Sequence, residues 1–210
     1  MEKYGRCPCD SGWDSQGYKS SHKGIDIGFL TKDGANLPVY AWKSGTVVAT
    51  GTDSAGGVYV VLRHDHDDYT WISRYWHFKK GSVVVKKGQT VTQGQKLGIR
   101  GNTGISSGVH LHFELWKCPK GYSYKASDLN KYAVNPTKYT YIFEGQTFKS
   151  TGNYKLEKKP VEESKETDLN AQIENMHKEL DAIKTTLTTT ENALKEANRI
   201  IEDVRKVVTP

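Results

Sequence analysis

A change of hydrophobic period near residue 160 constrains the fold of this chain more than any other feature of its sequence. Before that point, short runs of β-branched and aromatic residues are separated by Gly and other turn-forming residues. From residue 161 onward there is no Gly and no aromatic residue, and apolar residues recur with a period of three and a half. These two periods predict a β-domain followed by a long helix.

The apolar residues of the C-terminal part form two columns of a heptad repeat. One column is Leu169, Met176, Ile183, Thr190, Ala197 and Val204, and the other is Ile173, Leu180, Leu187, Leu194, Ile201 and Val208. A helix with this period must cover an apolar seam, and the usual solution is a supercoil with other helices. We therefore predict a coiled-coil oligomerisation helix over residues 166–208. A helix that folds back on its own domain is the alternative.

The first part of the chain is predicted to be mainly β. Its runs of strand-forming residues cover 25–29, 38–42, 45–50, 57–63, 69–76, 96–100, 110–116 and 139–143. Short runs separated by turn signals are typical of a compact antiparallel β-sheet domain, here residues 1–143. Residues 119–138 are predicted to form a loop with at most one helical turn near 126–132, and residues 144–165 a polar linker.

Charge and cysteine content limit the possible partners and compartments. The chain has a net charge of +6, with the positive excess before residue 160, which favours an anionic partner such as nucleic acid, a membrane surface or cell wall. No nucleic-acid-binding motif is present, and no apolar run reaches the length of a membrane span. The N-terminus lacks the apolar region of a secretory signal. Cys7, Cys9 and Cys118 are expected to be reduced thiols, although a disulfide from Cys118 to one of the pair stays open.

Two histidines lie one step apart on the polar face of a strand with the sequence GVHLHFELW, residues 108–116. Alternation places Leu111, Phe113 and Leu115 on one face, and His110, His112 and Glu114 on the other. Residues at this spacing have Cα atoms nearly 7 Å apart. One imidazole can therefore bind a metal ion while the other faces the water on that metal or the substrate. The spacing alone does not tell which is the ligand.

The segment SHKGIDIGF, residues 21–29, supplies two further ligand candidates. Its alternating apolar residues direct Asp26 to the opposite face, and His22 shares that face if the chain is extended back to it. Together with His112 they form a set that Zn²⁺ accepts, with the fourth position left open for water as in catalytic zinc sites. His77, at the end of an aromatic-rich strand, is a candidate for proton transfer.

These motifs together resemble those of the lysostaphin-type zinc endopeptidases, which cut peptidoglycan cross-bridges and stem peptides. The resemblance runs from about residue 12 to residue 143, and its most specific segments are SHKGIDIG, LPVYAWKSGTVVATG, RYWHF, VKKGQTVTQGQKLGIRGNTGISSGVHLHFEL and AVNP. It implies a compact antiparallel β-domain with zinc at the bottom of a groove walled by loops. It also implies that His22, Asp26 and His112 bind zinc and that His77 and His110 are the catalytic histidines.

The chain departs from the family pattern in three places. Phe78 stands where the family usually has Leu, and neither the Cys-containing N-terminus nor the Tyr-rich loop 119–138 has a counterpart. These differences bear on the shape of the groove and not on the chemistry. Because all five functional positions are filled, we expect an active enzyme. One of His77 and His110 would take the proton of the attacking water and the other would stabilise the oxyanion.

Other residues compete for functional roles. Trp42, Trp71, Trp76 and Trp116 are candidates to line a substrate groove, or else belong to the core. The cluster RHDHDDY contains His64 and His66 among three aspartates, but its polarity favours a turn between strands. His177 is expected to be a surface residue of the helix.

The combination of a wall-cutting domain, a coiled coil and no secretory signal suggests a bacteriophage lysin. Such a protein would be made in the host cytoplasm and act on the cell wall, either released at lysis as an endolysin or assembled in the virion tail. Its partners would be peptidoglycan and either further copies of itself or other virion proteins. The alternative is a non-catalytic wall-binding or tail structural protein on the same scaffold. The bond, the host and the number of strands in the coil stay open.

Overall fold

A computed structural model describes residues 5–29, 37–159 and 163–208, with the side chains of the last segment described from 173 to 206. The chain divides into two compact units, residues 1–159 and 160–210. The first unit is mainly β, and the second is one long helix.

The strands are β1 (Gly5–Arg6), β2 (Ser11–Gln16), β3 (Ile25–Gly28), β4 (Pro38–Tyr40), β5 (Gly45–Asp53), β6 (Gly57–Asp65), β7 (Tyr69–Phe78), β8 (Thr90–Val91), β9 (Lys96–Ile99), β10 (Leu111–Pro119), β11 (Ala133–Val134), β12 (Thr140–Ile142), β13 (Thr147–Lys149) and β14 (Glu157–Lys158). The helices are α1 (Leu129–Tyr132) and α2 (Glu163–Val208). Within the described residues, nine strands form the main sheet in the order β13-β2-β3-β10-β7-β6-β5-β8, with β11 beside β10. Smaller sheets join β1, β12 and β14, and β4 and β9.

The prediction of a mainly β domain is confirmed, and each predicted run contains a strand. The central strands β3, β10, β7, β6 and β5 pair in antiparallel fashion. Alternation also holds on β10, where Leu111, Phe113 and Leu115 are fully buried in the core. The loop 119–138 contains two 3₁₀ turns, Ala126–Asp128 and Pro136–Lys138, where at most one helical turn was predicted. The first leads directly into α1, at the predicted place.

Of the two alternatives for the four tryptophans, the core is correct for three and the groove for one. Trp42, Trp71 and Trp116 are at most 2% exposed and pack in the core of the first unit. Trp76 is also largely buried but borders the groove described below. Burial of a large aromatic ring removes much apolar surface from water and stabilises the fold. Trp42 and Trp71 accordingly belong to one apolar cluster of the core and Trp116 to the other.

Residues 144–159 are part of the first unit, and not the polar linker predicted from their composition. β13 pairs in parallel with β2, in the register Thr147 with Ser11. The loop after β13 wraps around the buried carboxylate of Asp14, which accepts hydrogen bonds from the backbone N–H groups of Thr151, Gly152 and Tyr154. Backbone pairing, one buried acid and core contacts of Phe148, Tyr154 and Leu156 hold this segment, and none of these leaves a hydrophobic period in the sequence.

The cluster around His64 forms a structural core contact and a turn. His64 is at the end of β6 and is 2% exposed, while residues 66–68 connect β6 to β7. The Nδ1–H of His64 donates to the carbonyl of Ser44 at 2.9 Å, and its Nε2 accepts from the Ser73 hydroxyl at 2.7 Å. Burial lowers the pKa of His64 to about 4, so the ring is neutral. The turn predicted for this cluster is present at residues 66–68, between β6 and β7. All three cysteines are free, buried thiols.

The second unit is the 46-residue helix α2. The described apolar residues of both heptad columns are exposed, from Ile173 to Val204, and His177 is exposed as predicted. Leu169 and Val208 lie outside the residues whose side chains are described. The coiled coil itself stays a prediction. Among the described helices, none combines the length and the apolar character needed to cross a membrane.

Candidate metal centre

Two of the three predicted ligands are neighbours across the sheet. β10 runs antiparallel to β3, and their register places His112 directly opposite Asp26. Residues paired in this way have side chains on the same face. The Nδ1 atom of His112 lies 2.7 Å from Oδ1 of Asp26. The position of both residues follows from the period of two in each strand.

His22 reaches the same point by a turn, and not by the extended chain that the sequence argument assumed. The backbone of His22 exchanges two hydrogen bonds with Lys19, at 2.9 and 3.0 Å, which closes a tight turn before β3. Its Nε2 atom lies 3.2 Å from Asp26 Oδ1 and 3.1 Å from His112 Nδ1. The ligand atoms of His22, Asp26 and His112 all lie within 4.8 Å of one another.

The two imidazoles predicted to be ligands are each held by a hydrogen bond on the nitrogen that faces away from the centre. The Nδ1–H of His22 donates to the carbonyl of Gly17 at 2.9 Å. The Nε2–H of His112 donates to Oε1 of Glu114 at 3.2 Å. Each ring would therefore bind a metal ion through its other nitrogen, Nε2 of His22 and Nδ1 of His112, and both of these nitrogens face Asp26. This donor set of two imidazoles and one carboxylate fits Zn²⁺.

His77 enters the site through a β-bulge. Val60 pairs with Tyr75 and Val58 pairs with Phe78, so one residue of β6 faces two residues of β7, Trp76 and His77. Among the described non-glycine residues, His77 alone has a positive φ, 64°. Without the bulge, alternation would direct His77 to the core side occupied by Tyr75. A non-glycine residue with a positive φ destabilises the fold by about 1–3 kcal/mol, and such residues and β-bulges are concentrated at functional sites.

His77 and His110 form a second pair of imidazoles beside the three predicted ligands. Their ring centroids are 4.6 Å apart, and His110 Nε2 lies 3.8 Å from Asp26 Oδ1. The Nδ1–H of His77 donates to the carbonyl of Thr103, and that of His110 to the carbonyl of Gly108, both at 2.8 Å. Both rings therefore keep Nε2 free to exchange a proton with a bound molecule.

The electrostatics of the site favour a bound cation. Burial opposes ionisation of Asp26, but the hydrogen bonds from His112 and His22 outweigh it and hold the pKa of this carboxyl well below its usual range. Burial likewise opposes the charged form of His112, yet Asp26 and Glu114 raise its pKa to about 9. Burial lowers the pKa of His77. A metal ion would take the place of the proton on His112.

The five residues border a groove of about 540 Å³. Its other lining residues include Gln16, Asp53, Gly56, Arg74, Trp76, Ile105, Ser106, Glu114 and Leu129. Ile105, 80% exposed, extends from the loop between β9 and β10. Sequence reasoning placed Glu114 on the polar face of its strand but gave it no role, and it overlooked Arg74. The parity that Glu114 shares with His110 and His112 was the available signal.

A mainly β domain with a candidate metal site of two imidazoles and one carboxylate is what a metallopeptidase requires. Residues 20–153 match the model of Peptidase family M23. This chain belongs to that family, and the resemblance to lysostaphin-type peptidases is confirmed.

Among its relatives is the peptidoglycan DD-endopeptidase ShyA of Vibrio cholerae, 46% identical over 94 residues, which are 45% of this chain and 20% of ShyA. Lysostaphin of Staphylococcus staphylolyticus is 34% identical over 93 residues, which are 44% of this chain and 18% of lysostaphin. The match thus spans about a fifth of each relative. In the solved structure of a putative peptidase M23 from Pseudomonas aeruginosa, the likeness covers 66% of this chain and 51% of that chain, with 26% identity and a TM-score of 0.50.

Proposed function

We propose that this chain is a zinc-dependent endopeptidase that hydrolyses peptide bonds of bacterial peptidoglycan, in the cross-bridge or the stem peptide. One observation carries the proposal: the ligand atoms of His22, Asp26 and His112 lie within 4.8 Å of one another in a groove that His77 and His110 also line. The similarity to ShyA, a peptidoglycan DD-endopeptidase, supports the substrate class.

His22 Nε2, Asp26 Oδ1 and His112 Nδ1 are the atoms that would hold the metal. When bound, Zn²⁺ lowers the pKa of a water ligand toward 7 and polarises the scissile carbonyl. The lengths of the three contacts, 2.7–3.2 Å, leave the atoms close enough to share one ion.

His77 and His110 do the proton work in this proposal. Because each donates its Nδ1–H to a carbonyl, each has Nε2 as the atom that accepts or donates a proton. One Nε2 would take the proton from the attacking water and pass it to the amine that leaves as the C–N bond breaks, while the other ring, protonated on both nitrogens, would donate its Nε2–H to the oxyanion of the tetrahedral intermediate. The adjacent rings can serve one reacting carbonyl together.

The test is digestion of purified peptidoglycan by the full chain, with the released fragments identified by mass spectrometry. We expect about one zinc per chain, new amine ends from walls whose bond the enzyme cuts, loss of activity with a chelator and its return with Zn²⁺. A folded chain that binds no zinc would instead support the non-catalytic wall-binding or structural role. Walls with different cross-bridges identify the bond.

We propose further that α2 joins several copies of the chain in a parallel coiled coil. The first heptad position holds mainly Leu, at Leu180, Leu187 and Leu194, while the fourth holds the β-branched Ile183, Thr190 and Val204. Leu at the first position with β-branched residues at the fourth favours three or four strands.

Charge supports the parallel orientation. In a parallel coil, Glu179 of one helix faces Lys184 of the next, an attractive pair, whereas an antiparallel coil separates them. The molar mass of the full chain in solution, measured by sedimentation equilibrium, tests the proposal. Leu187→Asp should give monomers, and the matched exposed substitution Thr188→Asp should not. A monomeric wild-type chain would contradict it.

We also propose that the protein is a bacteriophage lysin, made in the host cytoplasm and acting on the cell wall, either released at lysis or carried in the virion tail. An oligomeric coil supports this role because it can present several peptidase domains on one assembly or dock them to other virion proteins. Mass spectrometry of purified particles tests it. The chain should be found in virions if it is a tail component, and only in lysates if it is an endolysin.

A further inference from the structure

We propose that Glu114 is a positioning residue for the metal ligand His112 and that Arg74 holds Glu114 in place. This inference rests on the zinc site proposed above. A chain of contacts runs away from the site: His112 donates to Glu114, Glu114 accepts from Arg74, and the Arg74 guanidinium packs against two tryptophan rings.

Both carboxylate oxygens of Glu114 are used, and for different purposes. Oε1 accepts the Nε2–H of His112 at 3.2 Å. Oε2 accepts one N–H from Arg74 Nη1 at 2.8 Å and another from Trp116 Nε1 at 3.0 Å. Rotation of the carboxylate would break at least one of these bonds. Glu114 is 4% exposed, so water cannot replace a lost bond without opening the structure.

Arg74 is placed for this task by the sheet. β7 pairs with β10 in a register that sets Arg74 directly opposite Glu114, on the same face. Its guanidinium carbon lies 4.4 Å from the ring centroid of Trp76 and 4.9 Å from that of Trp116. These two rings confine the guanidinium, and the carboxylate is confined by the guanidinium in turn.

The four imidazoles of the site differ in what holds them. His22, His77 and His110 donate to neutral backbone carbonyls, whereas His112 donates to an ionised carboxylate. A carboxylate partner fixes the tautomer with Nδ1 free and increases the basicity of that nitrogen more than a carbonyl does. The proposed ligand atom of His112 is Nδ1, so Glu114 acts on the metal through this ring.

Stability alone does not account for this pair. A buried ion pair is costly to desolvate, and an apolar pair of similar volume commonly stabilises a fold at least as well. Because Oε1 of Glu114 accepts a hydrogen bond from His112 and not from Arg74, the role of Glu114 is to position His112.

Zinc affinity of the full chain, measured at a fixed pH by competition with a chromogenic chelator, tests the proposal. In Glu114→Leu we expect the Kd for Zn²⁺ to rise about 10–100-fold, because His112 loses its acceptor. Glu114→Gln keeps an acceptor oxygen for His112 but loses the charge, so the rise should be several-fold and smaller. This variant also serves if the leucine variant fails to fold.

Ser73→Ala is the matched control, because Ser73 is fully buried on the same strand as Arg74 but hydrogen-bonds to His64 in the core. It should lower thermal stability and leave zinc affinity at the wild-type value. Equal zinc affinity in wild type and both Glu114 variants would overturn the positioning role while leaving the zinc enzyme intact. Absence of zinc binding by the wild-type chain would overturn both.

Discussion

The hydroxyl of Tyr154 donates a hydrogen bond to the main-chain carbonyl of Asp26 at 3.0 Å. Tyr154 follows β13, in the segment whose composition predicts a linker, and Asp26 is the carboxylate of the proposed metal site. The loop that carries Tyr154 is anchored on Asp14, which lies on β2 beside β3. The strand that holds Asp26 is therefore supported from behind by residues 144–159.

Substitutions in this support should weaken both the fold and the metal site. Tyr154→Phe removes one hydrogen bond and should lower the free energy of unfolding by about 1 kcal/mol. Asp14→Ala leaves three backbone N–H groups without their acceptor and should cost at least about 2 kcal/mol. Chemical unfolding and zinc titration of the full chain measure both effects. A chain ending at residue 143 that folded and bound zinc normally would contradict this prediction.

The proposed ligands and the proposed catalytic histidines should separate by zinc content. Alanine at His22, Asp26 or His112 should abolish stoichiometric zinc binding, because two remaining ligands hold the ion poorly. His110→Ala and His77→Asn should keep zinc and lower kcat about 10²–10⁴-fold. Asn is the better substitution at residue 77 because it tolerates the positive φ observed there.

Metal analysis of each purified variant, beside its rate of wall digestion, makes this comparison. Loss of zinc in His110→Ala, with the fold retained, would show that the division between ligands and catalytic histidines is wrong.

Acid should destabilise the first unit through His64. The pKa of this buried ring is about 4, against 6.5 for the ordinary side chain. Between these values the unfolded chain binds a proton that the folded chain does not, so the free energy of unfolding falls as the pH falls. The contribution is roughly 3 kcal/mol between pH 7 and pH 4. Zinc-free protein should be used, because protonation of the proposed ligands would release the metal and change the free energy of unfolding.

His64→Gln isolates that contribution, since all other titrating groups are common to both proteins. Urea unfolding at several pH values should give a difference between wild type and variant that shrinks as the pH falls below 6.5. A difference independent of pH would mean that the pKa of His64 is the same in the folded and in the unfolded chain.

A charge exchange in α2 should reveal the orientation of its partners. Glu179→Lys and Lys184→Glu should each weaken a parallel coil by about 0.5 kcal/mol per pair, and the double exchange should recover the interaction. Residues 179 and 184 are not neighbours on one helix, so coupling between them reports a contact between helices. The thermal midpoint of the helical signal measures it. Zero coupling would rule out the parallel arrangement.

The spacing of hydrophobic residues in the sequence was enough to predict the faces of the strands, part of the core and the C-terminal helix. A period of two placed His112 and Asp26 on the polar faces of their strands, and it placed Leu111, Phe113 and Leu115 in the core. The change to a period of three and a half marked the helix. Both follow from local backbone geometry, which repeats along the chain and therefore leaves a repeating pattern in the sequence.

The positions of residues that do not follow these periods are known only from the tertiary structure. His22 is placed by a turn and His77 by a bulge, so neither position follows from alternation. Glu114 finds Arg74 through the register of two strands, and residues 144–159 join the first unit through backbone pairing and Asp14. Such contacts depend on which residues of distant strands come to lie opposite each other. No local period records that, because backbone hydrogen bonds and buried charges pair across space and not along the chain.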